Sequence, residues 1–168
     1  MVWTTTPWCI PGNLAIAIGK DIDYSRASMN DEFYWIATQR LQELDEFEVE
    51  IISSCNGSEL IGSSYIPAYD EYENLYSDGA FRLIHSDDTN TDSGSGLVSQ
   101  APAYGESDFY ALKNSGIDVI ADPVTLSGKF DDTFKELEGL NVKDADSVIM
   151  TQLNERGNLF SQKTEMHS

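Results

Sequence analysis

The sequence predicts a mixed α+β fold, and three observations carry that expectation. A helical stripe runs over residues 29–46, a strand-turn-strand pattern centred on Asn56-Gly57 covers residues 48–66, and helix and strand signals alternate through the last third of the chain. A chain of 168 residues suits one ordinary domain, burying roughly 70% of its unfolded surface without staples. The expected organisation is therefore an extended N-terminal arm (1–12), one globular domain (13–157) with a polar loop at 87–105, and a polar C-terminal tail (158–168).

Residues 1–12 are aromatic and proline-punctuated (Trp3, Pro7, Trp8, Pro11), which favours an extended arm lying on another surface. Asn13–Gly19 is a short apolar run that reads as a strand. Ser28 can cap a helix with Asp31 three residues on, and Phe33, Ile36, Ala37, Leu41 and Leu44 then fall on one stripe. Trp35 lies on the opposite face of that helix, where it is either covered by another part of the chain or open to a partner.

Glu48–Cys55 and Ser58–Ile66 flank Asn-Gly, the favoured two-residue hairpin turn. Pairing through that turn places Glu48, Glu50 and Glu59 on one face with Ile52 and Ile61, a face expected to be solvated or to meet basic groups. Residues 67–80 interleave aromatic and acidic side chains, Phe81–Ser86 reads as a strand, and residues 87–96 turn polar and glycine-rich like a functional or mobile loop. Beyond it, helices are expected near Glu106–Asn114 and Lys129–Glu138, each closed by a glycine, with a strand at Ile117–Ala121 between them. Residues 144–156 fit a helix or, over 147–151 alone, a strand.

Charge is regional. Of 29 acidic residues, 15 lie between Leu41 and Tyr110 and only Arg82 opposes them there, so −14 of the net −19 sits mid-chain. Such a field repels nucleic acid backbones and anionic membranes and attracts basic protein surfaces. Direct nucleic-acid binding needs lysines and arginines to replace phosphate counterions, and the chain has ten in all.

Catalytic motifs are absent from the sequence. Neither phosphate-loop pattern occurs, Ser93-Gly-Ser-Gly96 lacks the nucleophile-elbow spacing, and His85 has only Asp87 or Asp88 to orient it as a base. Cys9, Cys55, His85 and His167 are too scattered to read as a zinc site. Cys9 and Cys55 read as thiols of a reducing compartment, with a single disulfide as the alternative. Asp88, Asn90 and Asp92 alternate like calcium-loop ligands, but Ser93 and Ser99 stand where the loop needs glycine and glutamate. Calcium is the one cofactor that pattern admits; otherwise none is expected.

The leading expectation is a non-enzymatic, acidic interaction subunit, a structural or accessory component of a phage or viral assembly. It would be anchored by Trp3, Trp8 and Trp35. An alternative is an acidic inhibitor imitating nucleic acid, with Glu43, Asp45, Glu46, Glu48, Glu50, Glu59, Asp70, Glu71 and Glu73 standing in for phosphates in the basic groove of a nuclease, restriction or CRISPR enzyme, or polymerase. A hydrolase or metal-dependent enzyme is the second alternative. The partner expected is a basic protein surface or neighbouring copies of the chain, including a homo-oligomer, with no direct nucleic acid and no membrane. With neither a signal peptide nor a membrane span in the sequence, the location expected is soluble, in the cytoplasm or a virion.

Overall fold

The computed structural model describes residues 1–161. His167 and the greater part of the expected 158–168 tail lie outside the described residues. The fold is mixed α+β. The chain forms two compact units, the first comprising residues 1–5 and 9–122, the second residues 6–8 together with the chain from Pro123 onward.

The first unit holds two three-stranded sheets. In one, β1 (Ala15–Ile18) is central, parallel to β5 (Arg82–His85) and antiparallel to β6 (Val98–Gln100). The Ala-Ile-Ala-Ile sequence of β1 is buried at every position, as a strand covered on both faces requires. Ala15 and Ala17 join Leu14, Phe81, Ile84 and Leu112 in one core cluster, while Ile16 and Ile18 join Tyr24, Ala37 and Leu97 in another. Leu112 lies in α1 (Glu106–Asn114), and alanines on that face of β1 leave room for it. The second sheet runs in the order β3-β2-β4, from β3 (Glu32–Ala37), β2 (Asp23–Met29) and β4 (Glu50–Asn56), all antiparallel.

The expected helix at 29–46 is instead β3 followed by a 3-10 helix at Thr38–Leu44. Asn30 and Asp31 both take positive φ, 53° and 62°, closing a two-residue hairpin between β2 and β3. Two positive φ values are what the hairpin-type turn demands, and Asn and Asp are the residues after Gly that tolerate them. The run Phe33-Tyr34-Trp35-Ile36 then follows its aromatic and β-branched preference for strand.

The expected hairpin at 48–66 also does not form. β4 pairs with β2, and the chain leaves it through a 3-10 helix at Gly57–Glu59. Asn56 caps that helix: its side-chain oxygen accepts from Ser58 N at 3.2 Å while the Glu59 carboxylate accepts from Asn56 N at 3.1 Å. Gly57 serves close approach, since a Cβ there would stand 2.0 Å from the Gly19 carbonyl oxygen. The predicted glutamate face across a hairpin is therefore not built.

The expected strand at 13–19 appears as β1, that at 81–86 as β5, and the helix at 106–114 as α1. Residues 1–12, expected to be extended, include a 3-10 helix at Pro7–Gly12, and the expected loop at 87–105 contains β6. No strand forms at 117–121 and no helix at 129–138.

In the second unit the ambiguous segment resolves as α2 (Val142–Glu155), with Asn141 accepting from Lys143 N at 3.1 Å as its cap. The apolar stripe of α2, Ala145, Ile149 and Leu153, is buried, as are Phe130, Phe134 and Leu137. Trp8 N donates to Asp146 at 2.8 Å, which ties residues 6–8 to α2. Among the described residues no helix is long and apolar enough to cross a membrane.

Candidate functional site

A side-chain hydrogen-bond chain in the first unit converges on β6. On one edge β6 pairs with β1; on the other, Trp3 N donates to Leu97 O at 2.8 Å and Ser99 N to Trp3 O at 3.1 Å. This holds Ser99, half-buried, between β1 and the N-terminal segment.

Asn13 organises the interior side. Its Nδ2 donates to Ala15 O at 2.8 Å and to Ser99 Oγ at 2.9 Å, and its Oδ1 accepts from the Tyr65 hydroxyl. A carbonyl can only accept, so Ala15 O fixes the orientation of the amide. Both amide hydrogens are then engaged, and Ser99 Oγ, already accepting one of them, retains its own proton to donate. Tyr65 is in turn held by Tyr76, whose hydroxyl donates to Tyr65 O. Burial pushes the Tyr65 phenol far above the usual range, with the Asn13 bond pulling the other way, so the group acts as a protonated donor.

Beyond β6, residues 101–105 lead through a turn into α1. Asp108, in the first turn of α1, reaches back so that Oδ2 accepts from Ala101 N at 2.9 Å. Its Oδ1 has only a long contact, 3.4 Å from Ser107 Oγ. Gly105 leaves the space this requires: a Cβ there would stand 3.0 Å from Asp108 Cγ. A carboxylate at a helix N-terminus is favoured by the backbone dipoles. Ser99 in β6 thus offers a hydroxyl donor and Asp108 at the start of α1 a partly engaged carboxylate, groups suited to holding a carbonyl oxygen and an ammonium or a water respectively.

The residues singled out from sequence take the following places. Trp3 is 38% exposed, with its ring against Gly94, where a Cβ would stand 2.7 Å from Trp3 Cδ2. Trp35 is half-buried against the Tyr24 cluster, and Trp8 belongs to the second unit. Glu43 pairs with Arg40 at 3.6 Å and Glu59 caps Asn56, while Asp45, Glu46, Glu48, Glu50, Asp70, Glu71 and Glu73 are exposed. In the 87–96 loop, Asn90 Oδ1 accepts from Asp92 N at 3.0 Å, and Arg40 donates to Gly94 O at 2.9 Å and Asp92 O at 3.3 Å. Asp88 is exposed, and no cluster of three or more His, Cys, Asp or Glu that could hold a metal occurs among the described residues.

His85 has a structural role. Its Nδ1 accepts from Lys20 N at 3.1 Å, so Nε2 carries the proton and donates to Asp87 at 2.8 Å. Cys9 and Cys55 are unbridged, and burial, then Glu59 and Asp23, pushes the Cys55 thiol up.

No family model matches the chain. Along its whole length the chain is similar to isoleucine–tRNA ligases. It is 41% identical over 174 residues to that of Bdellovibrio bacteriovorus, covering 100% of this chain and 16% of that protein. To that of Protochlamydia amoebophila it is 37% identical over 171 residues, covering 99% of this chain and 16% of that protein. The chain thus spans 16% of the length of these curated relatives. Among solved structures it is similar to GlLeuRS-CP1, with a TM-score of 0.70, 13% identity, and coverage of 98% of this chain and 83% of that one. It is also similar to the P. knowlesi cytosolic leucyl-tRNA synthetase editing domain, with a TM-score of 0.69, 8% identity, and coverage of 92% and 80%.

The fold is that of a synthetase editing domain. These likenesses overturn the reading as a non-enzymatic component of a phage or viral assembly, and with it the acidic mimic, since the relatives are enzymes. They also overturn the expectation of no direct nucleic-acid partner, because the relatives are tRNA ligases by name. Charge summed over the chain misled here, since a binding surface is decided by its own few side chains.

Asn13, Tyr65, Ser99 and Asp108 escaped the sequence reading because they lie far apart: Asn13 and Ser99 are 86 positions apart, Asn13 and Tyr65 are 52. The one local signal was Asn13 itself, an amide directly ahead of an apolar run that could only be buried with partners.

Proposed function

We propose that this chain is the editing segment of an isoleucine–tRNA ligase, and that it hydrolyses the ester joining a wrongly attached amino acid to tRNA. The observation that carries the reading is the likeness to isoleucine–tRNA ligases along the whole chain; the editing-domain fold says which part of such an enzyme it would be. A synthetic site separates isoleucine from valine by one methylene, which is worth only about 150-fold, and a second, hydrolytic site supplies the rest.

In the reaction, water adds to the ester carbonyl carbon, the bond to the tRNA oxygen breaks, and that oxygen takes a proton. The amino acid departs with a free carboxylate. Negative charge develops on the carbonyl oxygen in the transition state, where a positioned donor counts most. The Ser99 hydroxyl, with its proton free and its oxygen anchored by Asn13, is such a donor. In this reading Asp108 holds the substrate ammonium or the attacking water through Oδ1, while Ala101 N anchors Oδ2.

The test is release of radiolabelled amino acid from tRNA charged with valine or with isoleucine. The valine ester is expected to be cleaved faster. Ser99→Ala and Asp108→Asn are each expected to slow valine release by about a hundredfold, with circular dichroism unchanged. Equal rates on the two esters, or a valine rate no faster than spontaneous hydrolysis, would refute the reading.

A further inference from the structure

Arg26 sits on β2 with its guanidinium carbon 4.5 Å from the centroid of the Phe33 ring on β3. Phe33 is 58% exposed, so the ring is a surface feature. In a chain with 29 acidic and ten basic residues, a guanidinium would be expected to find a carboxylate, yet Arg26 makes no ion pair among the described residues. Strand register puts Trp35 and Ser53 directly opposite Arg26, and Phe33 and Glu50 opposite Ser28. Directly opposite residues share a face. That face thus presents, side by side, an exposed aromatic ring, a half-buried indole, a planar cation without an ion-pair partner among the described residues and two serine hydroxyls, with Glu50 opposite Ser28.

We infer that this face of the β3-β2-β4 sheet is a contact surface for single-stranded RNA, with Phe33 stacking a base and Arg26 holding the adjoining phosphate. An aromatic ring receives the π-face of a base, and a guanidinium beside it pairs with phosphate in a planar fork. The serines supply hydroxyls for ribose or phosphate oxygens. A carboxylate alone would meet Arg26 but leave the exposed Phe ring uncovered; a base with its adjoining phosphate engages both. The inference rests on the editing reading only in that a tRNA end would be the natural occupant.

Binding of a short fluorescein-labelled single-stranded RNA ending in CCA to the 168-residue chain, followed by anisotropy at low and at physiological salt, tests it. Arg26→Gln is expected to weaken binding at least about fivefold and to lower the salt slope by about 0.7, the value for one phosphate contact to a single strand. Phe33→Ala is expected to weaken binding by about fivefold or more while leaving the slope unchanged. Arg26→Lys should restore the slope without restoring the affinity.

Wild-type binding that neither variant changes, no binding of the RNA, or equally strong competition by polyglutamate would each overturn the inference. Valine release separates this from the functional proposal: RNA binding that depends on Arg26 without valine release would leave the surface standing and the editing reading refuted. Valine release with Arg26-independent binding would do the reverse.

Discussion

Asn13 joins three parts of the first unit through one amide, so its removal has a calculable cost. Asn13→Ala deletes the donors to Ala15 O and Ser99 Oγ and the acceptor for the Tyr65 hydroxyl. Ser99 is half-buried and water can replace its partner; the Tyr65 hydroxyl lies deep enough that burial raises its pKa strongly, and it would be left unsatisfied. An orphaned buried hydroxyl costs about 1–3 kcal/mol, and each lost bond about 0.5–1.5 kcal/mol. The expected loss is about 2–4 kcal/mol, which in a chain of this size lowers Tm by roughly 4–15 °C.

Tyr65→Phe removes the other partner and should cost about 1–2 kcal/mol by orphaning Asn13 Oδ1. Because the double variant leaves neither group without a partner, its loss should fall short of the sum by about 1 kcal/mol. Thermal unfolding of the four proteins, followed by circular dichroism, measures the cycle. Strict additivity would refute the assignment of the Tyr65–Asn13–Ser99 chain, and with it the argument that Ser99 has a free proton.

Asp31→Val places a β-branched residue at φ 62° and should destabilise by about 1–3 kcal/mol in urea unfolding, whereas Asp31→Gly should be neutral or stabilising; equal effects would argue against the β2–β3 turn. Burial raises the Asp146 carboxyl above its usual 3.8, with the Trp8 N–H opposing. A raised folded-state pKa means that the contribution of Asp146 is fully present below the unfolded pKa and is lost as pH rises through the folded one. Asp146→Asn, which keeps an oxygen for Trp8, should therefore match the parent near pH 3 and gain on it as pH rises towards 7, read as the difference in Tm across a pH series. A difference independent of pH would refute the burial of that carboxylate.

How much of this was legible in the sequence depended on whether a local pattern had a local competitor. The Ala-Ile-Ala-Ile strand and α1, with an acidic first turn and Gly116 beyond its end, had none and were read directly. Residues 29–46 satisfied two periods at once, since Phe33, Ile36 and Ala37 fit a helical stripe as well as a strand. Asn30-Asp31 decided between them, by turn chemistry that the Ser28–Asp31 capping pattern had masked. At Asn56-Gly57 the ambiguity ran the other way: the dipeptide best known for closing hairpins instead capped a short helix, because Gly57 is needed against Gly19, 38 positions away. Neither outcome is visible without the partner segment.

The candidate site was harder to read for a related reason, and the acidic composition drew attention away from it. Nearly all the carboxylates that suggested an interaction surface are exposed or engaged locally, as Glu43 with Arg40 and Glu59 with Asn56. Solvated or locally paired charges of this kind contribute little to stability. The groups of the proposed site are mostly neutral: an amide, a phenol and a hydroxyl, with the Asp108 carboxylate beside them in the proposal. The proposed ester hydrolysis would need oriented donors more than charge, and the Ser99 hydroxyl is oriented by an amide 86 positions away in the chain. A site built in this way leaves no short motif, and a net charge of −19 neither reveals nor forbids it. On the inference drawn above, RNA approach is decided by the local arrangement at Arg26 and Phe33, two side chains on neighbouring strands joined by the Asn30-Asp31 turn, a segment whose sequence also suits a helix start.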